Sequence, residues 1–333
     1  NGIDWEQQTS GIPGTGIKLN SVFYKNNAYV TVGDGGTILT SSDVTTSSAT
    51  VSEVTLDISG LNTANFPEMG FRSLIAFGGV LYVRDMQGLY RVGLEVGANE
   101  TTGIVAKIEP NFTAASYYNT GLEVQPYTND MTTDGTALYV SDSNNKLIRK
   151  IDPLTSNITT IAGKLENYAN GTGENAEFRS PDKLAMNGTD IYVIDENRIR
   201  VLDSVTGEVS ALSTSGAAYD YISKWTSDGT DIYFYSSGYT NEGGNYIYYY
   251  KLYRLTPEGV VSELDQVDGS GAAYTIDSNI GGLFSDGTDL FVAKGYGNTQ
   301  QILHIVLETG TVIPYTIGGV TLNSVDGMYK MGD

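Results

Sequence analysis

Cysteine is absent from all 333 residues, which excludes disulfides, thiolate metal sites and cysteine nucleophiles and leaves the redox compartment open. Long apolar runs are absent as well. None approaches the roughly 18 residues of a membrane-spanning helix, so no spanning segment is expected. Basic residues are scarce: 19 stand against 39 acidic ones, a formal charge of −20. A field of that sign repels nucleic acid and anionic lipid, and neither is expected as a partner. Acidity of this strength suits cation binding, and it equally makes a soluble, self-repelling surface, on which the chain is read as a monomer. The charged fraction of 17% argues against long amphipathic helices. The chain starts at Asn1-Gly2 rather than methionine, as a mature or trimmed exported protein would after loss of its signal segment. The expected location is secreted, periplasmic or cell-surface.

What is present points to strands. Glycine (40), tyrosine (24) and a hydrophobic share of 40% fit many short strands joined by tight turns. The length would hold two average domains, but an all-β barrel or propeller can span it as one core. Aligning the chain on a "LYV" pattern recovers Ala28-Tyr29-Val30, Leu81-Tyr82-Val83, Leu138-Tyr139-Val140, Ile191-Tyr192-Val193, Ile232-Tyr233-Phe234 and Leu290-Phe291-Val292. Their aromatic residues lie 53, 57, 53, 41 and 58 positions apart, a loose period typical of blade-type repeats.

Each copy follows a turn: Asn26-Asn27, Gly78-Gly79, Asp134-Gly135, Asn187-Gly188, Asp228-Gly229 or Asp286-Gly287. Such pairs take the positive φ of a two-residue hairpin and are expected to join antiparallel strands that way. A third strand follows in each unit, as in Leu147-Ile148-Arg149 and Leu252-Tyr253-Arg254. Turns such as Asp152-Pro153, Thr206-Gly207, Pro257-Glu258-Gly259 and Thr309-Gly310 lead into a fourth. Four strands in each of six units predict an all-β, six-bladed β-propeller, one domain over residues 1–333. The alternative is a seven-bladed ring. Residues 3–8 and 320–331 lie outside the six units, and Leu322-Asn323-Ser324-Val325 repeats Leu19-Asn20-Ser21-Val22, so a closing blade built from both ends is the second reading. Radial closure has a physical reason: a lone four-stranded sheet has two apolar faces and buries neither, whereas neighbouring blades cover both. The nearly continuous apolar second strands agree with it.

The segments TTDGTALYVSDSNNKLIRKID, TIAG at 160–163 and NGTGENAEFRSPDKLAM at 170–186 resemble NHL-repeat propellers of exported bacterial proteins. The resemblance is good over 129–213, fair over 222–316 and weak before 129. AYVTVGDGGTILTSSD at 28–43 is closer to sialidase-like propeller repeats, but the segment lacks the glycine and tryptophan of their Asp-box and implies no sialidase. The resemblance implies that the loops between second and third strands, and the links between blades, share one ligand-bearing face. Its longest candidates are 108–128, 163–181, 236–245 and 265–279.

Individual residues are weighed against this repetition. His304 is the single histidine, a residue type suited to general-base and metal work. In the alignment it occupies the column of Arg91, Arg149, Arg200 and Arg254, which marks a framework position. Asp85, Asp142 and Asp195 form an acidic column at the end of the second strand, 6, 7 and 5 residues before their arginines. Turn capping and cross-strand pairing account for them. In the alternative they ring the channel mouth and hold a cation such as calcium, although no DxDxDG-type loop accompanies them. No other cofactor is expected. Tyr117, Tyr118 and Tyr239 sit in candidate loops, and tyrosine's flat body and polar tip suit protein or sugar surfaces. Tyr246, Tyr248 and Tyr250 alternate along one strand face and are expected to pack.

Two functions stay open. One is a non-catalytic binding or scaffold module for a protein or carbohydrate. The other, implied by the resemblance, is a divalent-cation-dependent lactonase- or lyase-type enzyme with its site at the central channel. Lyases of that kind use several histidines, which this chain lacks.

Overall fold

The structure is a computed structural model that describes residues 19–25, 28–33, 38–41, 51–53, 55–57, 73–77, 80–84, 89–96, 101–107, 128–152, 155, 157–164, 168–276, 280–285, 287–294, 301–316 and 327–330. Among these residues the strands form six sheets. The first sheet runs, from one edge to the other, Gly327–Lys330, Leu19–Lys25, Ala28–Gly33, Ile38–Ser41 and Val51–Glu53. The second runs Ser73–Phe77, Val80–Arg84, Leu89–Val96, Thr101–Lys107 and Thr55–Asp57. In the third the order is Thr128–Thr133, Leu138–Asp142, Leu147–Ile151 and Ile158–Ala162. Pro181–Asn187, Asp190–Asp195, Arg198–Asp203, Glu208–Ala211 and Gly171–Thr172 make the fourth. The fifth consists of Tyr221–Ser227, Ile232–Glu242, Asn245–Leu255, Val260–Glu263 and Ser215–Gly216, and the sixth of Ile280–Ser285, Leu290–Lys294, Gln301–Val306 and Thr311–Thr316.

The leading strands touch in succession: Ser73–Phe77 meets Thr128–Thr133, which meets Pro181–Asn187, then Tyr221–Ser227, then Ile280–Ser285. Ile280–Ser285 meets Gly327–Lys330, and that strand and Leu19–Lys25 return to Ser73–Phe77. This is a propeller arrangement. The far-separated strands do pair, Ser21 through Tyr24 lying parallel to Gly327 through Lys330. They do so within the first sheet, whose innermost strand is the late one. Residues 3–8 and 320–326 lie outside the described residues.

Apolar packing sits between sheets. Tyr139 and Ile148 of the third pack with Leu184, Ile191 and Val193 of the fourth and with Phe178 of the link leading into it. Leu138 and Val140 turn the other way, onto Ile75 and Tyr82 of the second. Residues 138–142 are consequently buried at every position. Phe234 and Tyr253 face the fourth sheet, while Tyr233, Tyr235 and Leu252 face the sixth. Alternate side chains of one strand thus serve two different cores, which explains an apolar run without a polar face.

Three of the six hairpins close across two residues as expected, Lys25 pairing with Ala28, Phe77 with Val80 and Asn187 with Asp190, and three differ. Thr133 pairs with Leu138, Ser227 with Ile232 and Ser285 with Leu290, so these loops hold four residues rather than two. Among the described residues of these loops only glycines take positive φ (81° at Gly135, 93° at Gly229). The aspartate works through its carboxylate: Asp134 Oδ1 accepts N–H bonds from Thr136 and Ala137, both at 2.7 Å, and Oδ2 accepts the Tyr139 hydroxyl at 2.8 Å. Asp228 repeats this with Thr230, Asp231 and Tyr233. The D-G-T-x-x-Y pattern is therefore a side-chain turn. Burial and the bond to aspartate push both tyrosine hydroxyls above their ordinary range. Burial opposes ionisation of Asp134, but its bonds from Tyr139, Thr136 and Ala137 outweigh that and hold it below the usual carboxylate range.

The links do more than connect. Ser215–Gly216 lies parallel to Val260–Val261, and Thr55–Asp57 parallel to Thr102–Ile104, so each covers the outer edge of the sheet into which it leads. Gly171–Thr172 and Val267 do the same at the fourth and sixth sheets. A glycine in the turn before the fourth strand receives three of these links: Gly173 N–H donates to the Gly207 carbonyl, Ser215 to Gly259 and Val267 to Gly310, all at 2.9 Å. All three have positive φ, and a Cβ at Gly259 or Gly310 would overlap the carbonyl oxygen of Ser213 or Asp265. Edges closed in this way offer no template for pairing with another chain.

Candidate functional site

The beginnings of the first strands and the ends of the second strands meet on one face. There the first strand bulges in five sheets, between Leu19 and Ser21, Thr128 and Met131, Pro181 and Leu184, Ile222 and Lys224, and Ile280 and Gly282. Bulges release residues from the ladder and re-aim side chains. Buried Asp130 is one: its Oδ2 accepts the Leu184 N–H of the neighbouring sheet at 3.0 Å. Ser141 Oγ accepts the Asp130 N–H at 2.9 Å and donates to the Asp182 carbonyl at 2.8 Å. Beside them Lys183 pairs with Asp182 at 3.7 Å, both partly exposed. The loops after the second strands add two left-handed residues, Lys146 and Glu196, a conformation that costs roughly 1–2 kcal/mol outside glycine.

Asp142 and Asp195 are fully buried on this face. Both oxygens of Asp142 accept from Asn145 Nδ2 at 2.9 Å, and Oδ2 faces Arg149 Nη2 at 3.2 Å. Asp195 Oδ1 accepts the Arg179 and Ser180 N–H groups at 2.9 and 2.7 Å, with Arg200 Nη1 at 3.5 Å from Oδ2. Burial pushes the Asp195 carboxyl upward, against the pull of those N–H groups and Arg200. Arg200 also donates to the carbonyls of Glu177 and Ala169 and to Asn170 Oδ1, and lies 4.3 Å above the Tyr168 ring. It anchors the 163–181 link. Each carboxylate is thus enclosed in its own sheet as an arginine's partner. Among the described residues no three Asp, Glu or His side chains converge as metal ligands. Asp85, Tyr117 and Tyr118 lie outside the described residues.

The single basic column anticipated from the alignment is two columns. Arg149 stands opposite Val140 and Arg200 opposite Val193, whereas Arg91, Arg254 and His304 stand opposite Tyr82, Tyr233 and Phe291. One register step sends a side chain to the other side of a sheet. His304 therefore shares a column with Arg254, not with the buried arginines. The likeness of role is direct: Arg254 Nε binds Asp231 Oδ2 at 2.6 Å, and His304 Nε2 lies 2.8 Å from Asp289 Oδ2 with its ring stacked 4.8 Å from Phe291. His304 replaces arginine in a framework pair away from the loop face.

The fifth sheet departs most from the repeat. Its second and third strands have 11 residues each and pair as far as Glu242 and Asn245, so 236–245 continues a ribbon rather than forming a loop. Register places Tyr250 opposite Ser237, Tyr248 opposite Tyr239, and Tyr246 opposite Asn241, all on one ribbon face. Tyr235 and Tyr250 stack at 6.0 Å, continuing the core outward. Beyond them Tyr239 lies 5.2 Å from Tyr246 and 6.1 Å from Tyr248, and the three are 59%, 59% and 66% exposed. Packing of Tyr246 and Tyr248, expected from their alternation, is thus corrected: the face is shared, but the neighbouring sheet does not reach that far. The signal available in the sequence was the hairpin's excess length. On the ribbon's other side Tyr249 donates its hydroxyl to Asp220, over Gly238, where a Cβ would overlap both. A cleft of about 360 Å³ nearby is lined by Asn197 and residues 214–219.

Six sheets with their leading strands in mutual contact, the second to the sixth packed face to face, define an all-β propeller. No family model matches the chain. NHL repeat-containing protein 2 of Homo sapiens is 40% identical over 81 residues, 22% of this chain and 11% of that protein. The Bos taurus protein of the same name is 40% identical over 79 residues, with the same coverage. The match spans about a tenth of the length of these curated relatives. Among solved structures, a streptogramin B lyase superposes with a TM-score of 0.56 at 12% identity, over 96% of this chain and 88% of its own. A candidate 6-phosphogluconolactonase from Bacteroides uniformis gives 0.51 at 14% identity, over 92% and 86%. At such identities the likeness concerns the fold alone. Repeat similarity and fold together make the chain an NHL-like β-propeller.

Proposed function

We propose that residues 1–333 form a single six-bladed propeller domain, each of the six sheets being one blade. It acts as a non-catalytic binding or scaffold module, secreted, periplasmic or on the cell surface, for a protein or carbohydrate ligand. The observation that carries this reading is the tyrosine-faced ribbon. Tyr239, Tyr246 and Tyr248 are large, exposed and carried on one face of an 11-residue strand pair. Isolated exposed apolar residues mean little, but a clustered aromatic surface on a rigid support marks a contact site. Asp142 and Asp195 support that face by fixing loops, and Tyr117 and Tyr118 are proposed to extend it. The chain works as a monomer.

The test sets binding against chemistry. Protein purified without chelator is assayed for bound metal by mass spectrometry, calcium included, and screened against ester and lactone substrates. Metal-free, inert protein with a saturable ligand supports the module. Stoichiometric divalent metal with hydrolysis or elimination lost on chelation overturns it in favour of a lactonase- or lyase-type enzyme.

A further inference from the structure

We infer that the outer half of the ribbon is a stacking platform for a neutral glycan, an assignment that rests on the binding-module reading above. Three observations select this occupant. First, the face is uncharged: outward from Tyr235 and Leu252 it carries Ser237, Tyr239, Asn241, Tyr246, Tyr248 and Tyr250. The register of Lys251, opposite Ser236, places it on the ribbon's other side. In a chain of net charge −20, a face without groups charged at neutral pH suits an uncharged ligand, and the long-range field repels both a polyanion and a second copy of the chain.

Second, the area is small. Three tyrosines at 59–66% exposure offer on the order of 300–450 Å², well under the ~800 Å² that each partner gives to a specific protein interface. A saccharide needs only ring faces and a few polar atoms. Third, the chemistry is complementary. Sugar rings present C–H faces bordered by hydroxyls. The site presents three rings with centroids 5.2 and 6.1 Å apart, Tyr239 edge-on to Tyr246 at 75° and tilted 57° to Tyr248, so a sugar ring meets a face of one tyrosine and the edge of another, bordered by phenolic hydroxyls and the Asn241 amide. Strand pairing fixes the backbone that carries this set, which lowers the ordering cost on binding.

The test is affinity electrophoresis of the full chain through native gels containing laminarin, xylan, dextran or hydroxyethylcellulose, with alginate as an anionic control. Retardation by at least one neutral polymer is expected. Tyr239→Ala and Tyr248→Ala are expected to raise its dissociation constant about tenfold or more, and Tyr248→Phe less than about threefold. The variants should melt as the parent does. No retardation by any neutral polymer, retardation by alginate alone, or retardation unchanged in both alanine variants overturns the platform. Saturable protein binding lost in Tyr248→Ala would also overturn it while leaving the module reading intact. A metal-dependent lactone hydrolase without ligand binding would overturn both.

Discussion

Alanine at Gly259 should measure what the passing link is worth. Gly259 has a φ of +87°, and a Cβ there would overlap the Ser213 carbonyl oxygen. The substitution places an L-residue in left-handed backbone, roughly 1–2 kcal/mol. It also forces the link away, weakening the Ser215 N–H bond to the Gly259 carbonyl and the pairing of Ser215–Gly216 with Val260–Val261. At about 1 kcal/mol for each hydrogen bond, the total is about 3–5 kcal/mol. Gly229 is the control: φ is +93°, and nothing lies within 4 Å of its Cβ position, so Gly229→Ala should cost only the conformational part. An unfolding entropy of about 0.7 kcal/mol/K for a chain of this length turns these into Tm shifts of about 6 °C and about 2 °C. Calorimetry reads both. Gly310→Ala should resemble Gly259→Ala, and Gly207→Ala, whose Cβ would stand 2.9 Å from the Ile161 oxygen, should fall between. Equal shifts for Gly259→Ala and Gly229→Ala would refute the reasoning, leaving the glycines as turn formers only.

Three further outcomes follow from the same geometry. Tyr235→Ala, which empties a fully buried position, should cost about 3–5 kcal/mol in urea unfolding, while Tyr246→Ala should stay within about 0.5 kcal/mol. Asp134→Ala should cost about 1–2 kcal/mol at neutral pH. Because the folded-state pKa of Asp134 lies below its ordinary 3.8, its contribution is present above that pH and is lost as pH falls through the lower folded value. Parent and variant melting curves should therefore converge in acid. Arg200→Lys keeps the charge but loses the planar fork that reaches Asp195, Glu177, Ala169 and Asn170. It should cost about 3–5 kcal/mol and speed proteolytic cutting within 163–181.

Much of the architecture was legible because it repeats. The "LYV" strands, the Asp-Gly turns and the Asp–Arg spacings are each dictated by local chemistry, and repetition made them visible. What escaped was relative register. Arg149 and Arg254 align in sequence yet stand opposite the third and second residues of their "LYV" triplets. A one-residue offset on a pleated strand is invisible without its partner. The edge-covering links escaped too, since two residues such as Ser215–Gly216 carry no strand signature. At the candidate site Tyr239 is legible through its place in the long 236–245 segment. Tyr246 and Tyr248 were assigned to packing because alternation tells which side a residue shares, not whether another sheet stands opposite it.

The pairing of Ser21–Tyr24 with Gly327–Lys330 has a consequence for biogenesis. A ribosome delivers the earlier strand first, and its inner flank stays bare until Gly327–Lys330 has emerged as well. Contacts so distant along the backbone form slowly, leaving a period in which that flank invites wrong partners. Synthesis rate and chaperone supply, more than equilibrium stability, should then limit how much circular product a cell obtains.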